Sequence, residues 1–252
     1  MTPIADAIAR GRTADPRWKP CIFDQDLQPN GNHSDYWQGS AFMLDMFAAA
    51  YRRHLPKVCR GGLVDLGCGP APLLSAYAQW VDWYYLVDWP STFHENSAID
   101  LPQDLNLRLE LPDATFDTAL LTSVLEHIRR PEALLHECAR ILKPGGRVFL
   151  QVPFAYWLHE EPFDYFRYTR HALTSLGQDA GLEIETIEAV GNDVDVLIDI
   201  SAKRLCSSTN GLVRRAGRIL QRRARSRSTR TPDLSGKVKL PLGYVVVARK
   251  HA

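Results

Sequence analysis

The run Val64-Asp65-Leu66-Gly67-Cys68-Gly69-Pro70 sets the terms for the rest of this chain. An apolar, β-branched segment leads into two closely spaced glycines, and Leu73-Leu74-Ser75-Ala76-Tyr77-Ala78 follows. This order predicts a buried strand, a tight turn and a helix. Gly67 and Gly69 accept backbone angles closed to other residues and carry no side chain to hold a ligand away. Asp65 places a carboxylate just before the turn, and the helix start offers unpaired N–H groups. Such a corner is where open α/β sheets bind nucleotide-like ligands. A dinucleotide fingerprint would need a third glycine where Pro72 stands, which speaks against that ligand class.

The 252 residues suit one domain with additions. Five scattered cysteines without a CxxC pair suggest reduced thiols. The first residues lack a signal-type apolar run, and nothing approaches the roughly 20 apolar residues of a membrane span. A soluble, cytoplasmic protein is expected. The net charge of +1 hides an asymmetry: Ser201 to Pro232 carries ten Lys/Arg and no Asp/Glu, so the remainder is net acidic.

Taken in order, residues 1–35 read as a partly ordered arm. A helix capped by Ser34 or Asp35 starts near Tyr36 and ends before Pro56, with Phe42, Met43, Met46, Phe47 and Ala50 on one face. Strands are expected at 63–66, 82–88, 118–122, 147–153, 182–190 and 243–250, and helices at 71–80, 131–142 and 170–180. Lys143-Pro144-Gly145-Gly146 reads as a helix stop and turn. The implied divisions are 1–60, an arm and covering helix; 61–192, the core; 193–240, a basic helical insertion; and 241–252, a last core strand. Within the insertion, Leu212, Val213, Ala216, Ile219 and Leu220 make an apolar stripe, with arginines on the other faces. This pattern suits either an anionic membrane surface contacted through 203–230 or a helix docked on the domain. Nucleic acid ranks behind both, since no aromatic residues are interleaved for base stacking.

Asp65-x-Gly67-x-Gly69, Phe116-Asp117, Leu125-Glu126-His127 and Leu142-Lys143-Pro144-Gly145-Gly146 recur in an order that resembles the class I S-adenosylmethionine-dependent methyltransferases. The resemblance covers about residues 62–190 and the final strand. It implies an α/β, Rossmann-like fold: a mostly parallel seven-stranded sheet with its last strand antiparallel. It implies S-adenosyl-L-methionine as cofactor, with Asp65, Gly67, Cys68 and Gly69 about its amino-acid end. Asp88, 19 residues beyond Gly69, suits the ribose hydroxyls. Asp104 and Leu105 stand where the family pairs with and flanks adenine, with Glu110 as a substitute, and Thr122 joins this set. The helix before the glycine turn implies a cover in which His33, Tyr36 and Trp37 line the site. Core packing is the preferred reading of Trp37.

The loop from Pro153 to Thr169 is dense in groups that bind or move protons. His159, Pro162, Asp164, Tyr165, Arg167, Tyr168 and Thr169 resemble a segment of a methyltransferase subgroup linked to bacterial polysaccharide and glycan biosynthesis. A hydroxyl acceptor gains from a base, which makes His159 and His127 the catalytic candidates. Glu160, Asp164, Tyr165, Arg167 and Tyr168 are the substrate candidates, with an internal Asp164–Arg167 ion pair weighed equally. The Asn/Asp-Pro-Pro-Tyr signature of amino-group methylation is missing after the fourth strand, which disfavours a ring nitrogen. No metal ligand set is expected, since His159-Glu160-Glu161 lacks the second histidine of His-Glu-x-x-His. The sequence thus points to methyl transfer to a hydroxyl of a small-molecule or glycan acceptor. A quinone-type or RNA acceptor, or a catalytically silent binding module, are the alternatives.

Overall fold

The computed structural model describes residues 3–11, 22–31, 37–91, 98–225 and 233–251. Seven strands form one sheet: β1 Gly62–Leu66, β2 Trp83–Asp88, β3 Leu101–Pro102, β4 Phe116–Thr122, β5 Leu142–Pro153, β6 Leu182–Val190 and β7 Gly243–Lys250. Their order is β3-β2-β1-β4-β5-β7-β6. β3, β2, β1, β4 and β5 pair in parallel, and β7 runs antiparallel to both β5 and β6. The expected mostly parallel sheet with an antiparallel last strand is what the chain adopts.

Seven helices are described: α1 Pro3–Arg10, α2 Ala41–Val58, α3 Leu74–Tyr77, α4 Pro131–Ile141, α5 Arg170–Asp179, α6 Asp193–Cys206 and α7 Gly211–Arg225. The strands alternate between two buried layers, as a two-residue period requires. Leu63, Leu86, Leu120, Phe149 and Val245 join α2 and α3 on one face. Val64, Val87, Leu121, Leu150 and Val246 join α4 on the other. Near-continuous apolar runs are the mark of strands buried on both faces.

Several boundaries differ from those expected. His33, Ser34, Asp35 and Tyr36 lie outside the described residues. A single 3₁₀ turn, Gln38–Ser40, leads into α2, which begins at Ala41. α2 runs through Pro56 to Val58, with Pro56 in its last turn, so this proline does not end the helix. The helix expected over 71–80 contracts to Leu74–Tyr77, because Pro70, Pro72 and a left-handed Ala71 (φ 51°) occupy its first turn. β5 starts already at Leu142. Leu142 pairs with Phe116 and pairing resumes at Thr118–Arg147, so Lys143 to Gly146 bulges out of a continuing strand. The turn chemistry is present, with Gly145 at φ 76°, inside the strand.

The insertion folds back onto α2. The face of α7 that docks holds Gly217, Gln221 and Ala224, while Leu212 and Ile219 of the expected apolar stripe point outward. Gly217 decides this: a Cβ there would lie 2.8 Å from both the amide nitrogen and the Sγ of Cys206. Gln221 then bridges to the start of α2, donating to Gly39 O at 2.6 Å and accepting from Phe42 N at 2.7 Å. Arg225 pairs with Asp45. Among the described residues no helix is long and apolar enough to cross a membrane.

Glu188 of β6 is buried and joins Arg53 and His54 of α2, with His54 Nε2 at 2.7 Å from its Oε2. Burial by itself would raise this carboxyl. The bonds from His54 and Arg53 outweigh it and hold the group below its ordinary 4.5. A carboxyl depressed in the folded state stabilises above its unfolded value and loses that contribution as pH falls through the folded value. Glu188→Gln is therefore expected to cost about 2 kcal/mol at pH 7. In urea unfolding followed by circular dichroism, the gap to wild type should shrink as pH drops below the ordinary carboxyl range.

Candidate active site

Strand order places β1 between β2 and β4, so the chain leaves the sheet to opposite sides at their carboxyl ends. That crevice is where open α/β sheets bind ligands. A cavity of about 530 Å³ opens there, within the roughly 300–1,000 Å³ span of small-molecule sites. Its walls include the glycine turn, the ends of β2 and β4, one face of α2, and the loop after β5.

The turn is held by β2. Gly67 N and Cys68 N donate to Val87 O at 2.8 and 3.1 Å. Asp88 Oδ2 accepts from Gly69 N at 2.8 Å, and its Oδ1 from Trp89 N at 2.7 Å. Gly67 (φ 70°) has a second constraint, since a Cβ would lie 2.6 Å from Val124 Cγ2. Gly67, Cys68, Gly69 and Asp88 all line the cavity. Asp65 does not. It points to the α2–α3 layer, where Tyr77 OH donates to its Oδ2 at 3.0 Å. Burial pushes its carboxyl up to about 7, against the Tyr77 bond and with help from nearby Asp88. Placed there, Asp65 lies behind the turn and is not part of the cavity wall.

Asp104, Leu105 and Thr122 also line the cavity. Asp104 Oδ1 accepts from the backbone and side-chain nitrogens of Asn106, both at 2.9 Å. Glu110, the substitute for Asp104, is exposed and is not part of the wall. Trp37 does not pack into the core: it is half-exposed and stacks on Trp157, with ring centroids 5.7 Å apart.

Beyond β4, Ser123 turns left-handed (φ 54°) and the chain makes a 3₁₀ turn, Leu125–His127. This turns Glu126 inward, where it is fully buried, and among the described residues neither carboxylate oxygen has a hydrogen-bond partner. Burial pushes its carboxyl up to about 8, partly offset by its own backbone N–H and by Arg167. The Nε2 atoms of His127 and His159 each lie 3.9 Å from Glu126 Oε1. The two rings meet edge to face at 4.8 Å. His127 Nδ1 lies 3.0 Å from Phe163 O, which can only accept, so this nitrogen carries a proton. Burial, and then His127, push the His159 imidazole down. Glu160 Oε2 is 3.8 Å from His127 Nε2.

The loop residues expected to bind substrate divide. Glu160 and Tyr165 line the cavity, the latter with its hydroxyl 2.9 Å from Arg129 Nε. Asp164 and Arg167 form a two-pronged ion pair at 2.5 and 2.7 Å. Arg167 also donates to Trp157 O at 2.9 Å, and Asp164 Oδ2 accepts from His159 N at 3.0 Å. This pair braces the loop and is not part of the cavity wall. Tyr168 is buried, donates to Leu125 O at 2.8 Å and is likewise not part of the cavity wall.

Sequence reasoning missed Gln151, whose Oε1 accepts from Ser123 Oγ at 2.8 Å and Tyr51 OH at 3.2 Å on the cavity wall. Tyr51 was findable, being one helical turn beyond Phe47 on the inner face of α2. Lys203 was read only as part of a basic run. It is buried in a pair with Asp199 at 2.5 Å, with Nζ 4.1 Å from the ring centre of Tyr156, a cavity residue.

A family model described as a methyltransferase domain matches residues 45–187. A ubiquinone biosynthesis O-methyltransferase from Pseudomonas paraeruginosa is 27% identical over 174 residues, covering 58% of this chain and 70% of that protein. The protein of the same name from Maricaulis maris is 35% identical over 92 residues, 35% of each chain. Among solved structures, an S-adenosylmethionine-dependent methyltransferase from Archaeoglobus fulgidus aligns with TM-score 0.51 at 17% identity, covering 84% of this chain and 95% of that one. The cyclase SpnF aligns with TM-score 0.53 at 20% identity, covering 100% and 93%. At these identities the solved structures show a shared fold.

Gly67→Ala combines a left-handed backbone with a contact that Val124 must vacate. A loss of about 2 kcal/mol in folding stability is expected, read from the denaturant midpoint. An equal stability to wild type would mean the turn is looser than the geometry implies.

Proposed function

This chain belongs to the S-adenosylmethionine-dependent methyltransferases, and from that premise we propose that it methylates a hydroxyl of a small-molecule or glycan acceptor. When bound, the cofactor supplies an electrophilic methyl group on a sulfonium. The residues on the cavity wall fit its parts by their chemistry. The glycine turn leaves room for an amino-acid end, the Asp88 carboxylate suits two ribose hydroxyls, and Asp104 with the apolar Leu105 suits an adenine amino group and ring face.

The observation that carries the oxygen assignment is the cluster of buried Glu126 with half-buried His127 and His159 on the same wall. A hydroxyl acceptor would have to give up its proton to a base or to water as it takes the methyl group. His127 and His159 are the residues proposed to face that hydroxyl. Such a site would gain its rate by holding the acceptor oxygen in line with the methyl carbon. Asp164 and Arg167 contribute by fixing His159, whose backbone they anchor.

The resemblance of the 153–169 loop favours a glycan acceptor. A second reading, a phenolic hydroxyl on a quinone-type ring, has its own support. The relatives named above are ubiquinone biosynthesis O-methyltransferases, and Trp89, Tyr156, Phe163 and Tyr165 give the cavity an aromatic lining. A membrane contact through the arginines of α7 would suit a lipid-linked form of either acceptor.

Calorimetric titration of S-adenosylmethionine tests the cofactor assignment first. Wild type should bind one equivalent. Asp88→Ala should weaken binding by roughly tenfold to a hundredfold, the worth of hydrogen bonds to a charged group. Asp88→Asn keeps an oxygen for Gly69 N–H, so it separates ligand contact from bracing of the turn. Folded wild type that binds no cofactor, or an Asp88→Ala variant that binds as tightly as wild type, overturns the assignment. Methyl transfer is then measured on glycan and on phenolic acceptors.

A further inference from the structure

We infer that Glu126, His127 and His159 form a binding site for one divalent first-row transition-metal ion, of which Zn²⁺ is the representative probe. The inference deepens the proposed function, resting on its reading of this cavity as the acceptor site.

The ligand atoms come from two separate parts of the chain. Glu126 and His127 lie on the 3₁₀ turn after β4, and His159 on the loop after β5. One atom from each falls within 4.8 Å of the other two. Each imidazole Nε2 is 3.9 Å from the same Glu126 oxygen. A tetrahedral ion with bonds of about 2.0–2.1 Å needs its ligands roughly 3.3 Å apart, so each Glu126–histidine edge closes by about half an ångström and the His127–His159 edge by up to about 1.5 Å. Glu160, 3.8 Å from His127 Nε2, stands beside the fourth position.

A second observation is independent of this clustering. Glu126 is wholly buried, lines the cavity, and has no hydrogen-bond partner for either oxygen among the described residues. A buried carboxylate without partners is costly, and a cation among its neighbours removes that cost. The surroundings also fit. Metal-bound histidines hold their other ring nitrogen on a carbonyl or carboxylate, which fixes the ring and raises its donor strength. Here His127 Nδ1 is 3.0 Å from Phe163 O, while His159 Nδ1, 3.2 Å from Asp164 Oδ2, makes no hydrogen bond as it stands and needs a small turn of the ring to reach that carboxylate, itself clamped by Arg167.

Two imidazoles and one carboxylate select zinc- or iron-like ions over Mg²⁺ and Ca²⁺, which prefer all-oxygen sites. Three protein ligands leave a position open. The acceptor hydroxyl occupies it, its O–H bond is polarised, and the proton leaves to solvent water before the oxygen takes the methyl. His127 and His159 then act as ligands to the ion that activates the hydroxyl.

The test uses the full chain without a histidine tag, stripped with a chelator and dialysed. ZnCl₂ titrated by calorimetry, with bound metal counted by mass spectrometry, should give one equivalent. His159→Ala and Glu126→Gln should each weaken binding at least tenfold, with folding confirmed by circular dichroism. Asp164→Asn should weaken it about tenfold through His159. Millimolar MgCl₂ should not displace Zn²⁺. A wild type that takes up no more Zn²⁺ than a folded His127→Ala/His159→Ala double variant overturns the site. S-adenosylmethionine titrated into the same stripped protein separates the readings. Cofactor binding without zinc binding sinks the metal site alone, and zinc binding without cofactor binding sinks the cofactor assignment alone.

Discussion

The bond from Gly69 N–H to Asp88 Oδ2 joins the two halves of the site before any ligand arrives. Asp88 ends β2, and Gly69 belongs to the turn after β1. The parallel pairing of these strands brings Leu66 opposite Val87, so turn and acid are adjacent by register. Val87 O accepts from both Gly67 and Cys68, which extends the strand ladder into the turn. A turn held in this way costs little to order when a ligand binds, because its backbone is already in place. The same constraint fixes the other wall. Gly67 has no Cβ, so Val124 closes against it, and that contact sets where the chain after β4 must start its turn toward Glu126.

The loop after β5 is held from three sides. Arg167 and Asp164 tie the carbonyl of Trp157 to the backbone of His159. Glu126 O accepts from Tyr165 N at 2.8 Å, which links the loop to the turn after β4. Lys203 of α6 sits against the rings of Tyr156 and Trp157, so the insertion contacts the loop as well. The insertion is in turn docked on α2 through Gln221, and α2 contributes Met43, Phe47 and Tyr51 to the cavity. Elements far apart in sequence therefore converge on one wall, and none of them could place its side chains without the others.

This convergence explains what was legible in the chain alone. The strands and the glycine turn follow from local patterns: apolar runs, punctuation by glycine and proline, and an acid at a strand end; the mostly parallel sheet with its antiparallel last strand was implied by the family resemblance. The residues that these elements carry directly, such as Asp88 and Thr122, line the cavity as the patterns implied. Asp65 does not, although it sits in the motif. Strand alternation sends it to the layer of Leu63, where α3 brings Tyr77. The Glu126–His127–His159 cluster was invisible as a ligand set because its members are separated by an entire helix and strand. No spacing rule joins residues that meet only through the parallel β4–β5 pairing. The docked face of α7 was not legible for a different reason. Hydrophobic periodicity favours Leu212 and Ile219, but close helix approach rewards the missing side chain of Gly217.

Asp65 and Glu126 show why burial alone does not mark a functional carboxyl. Both are buried, both are raised by desolvation, and each has at least one oxygen without a partner among the described residues. Their surroundings differ. Asp65 has a tyrosine hydroxyl on one oxygen and a core layer around it, so its protonated form near neutral pH is a tolerable resident of that layer. Glu126 has no neighbouring hydroxyl on its oxygens, lies on a cavity wall, and faces two imidazole nitrogens at equal distance. Folding stability alone would favour an apolar side chain of similar volume at such a place. The proposed metal and acceptor sites give that carboxyl a use that folding stability does not.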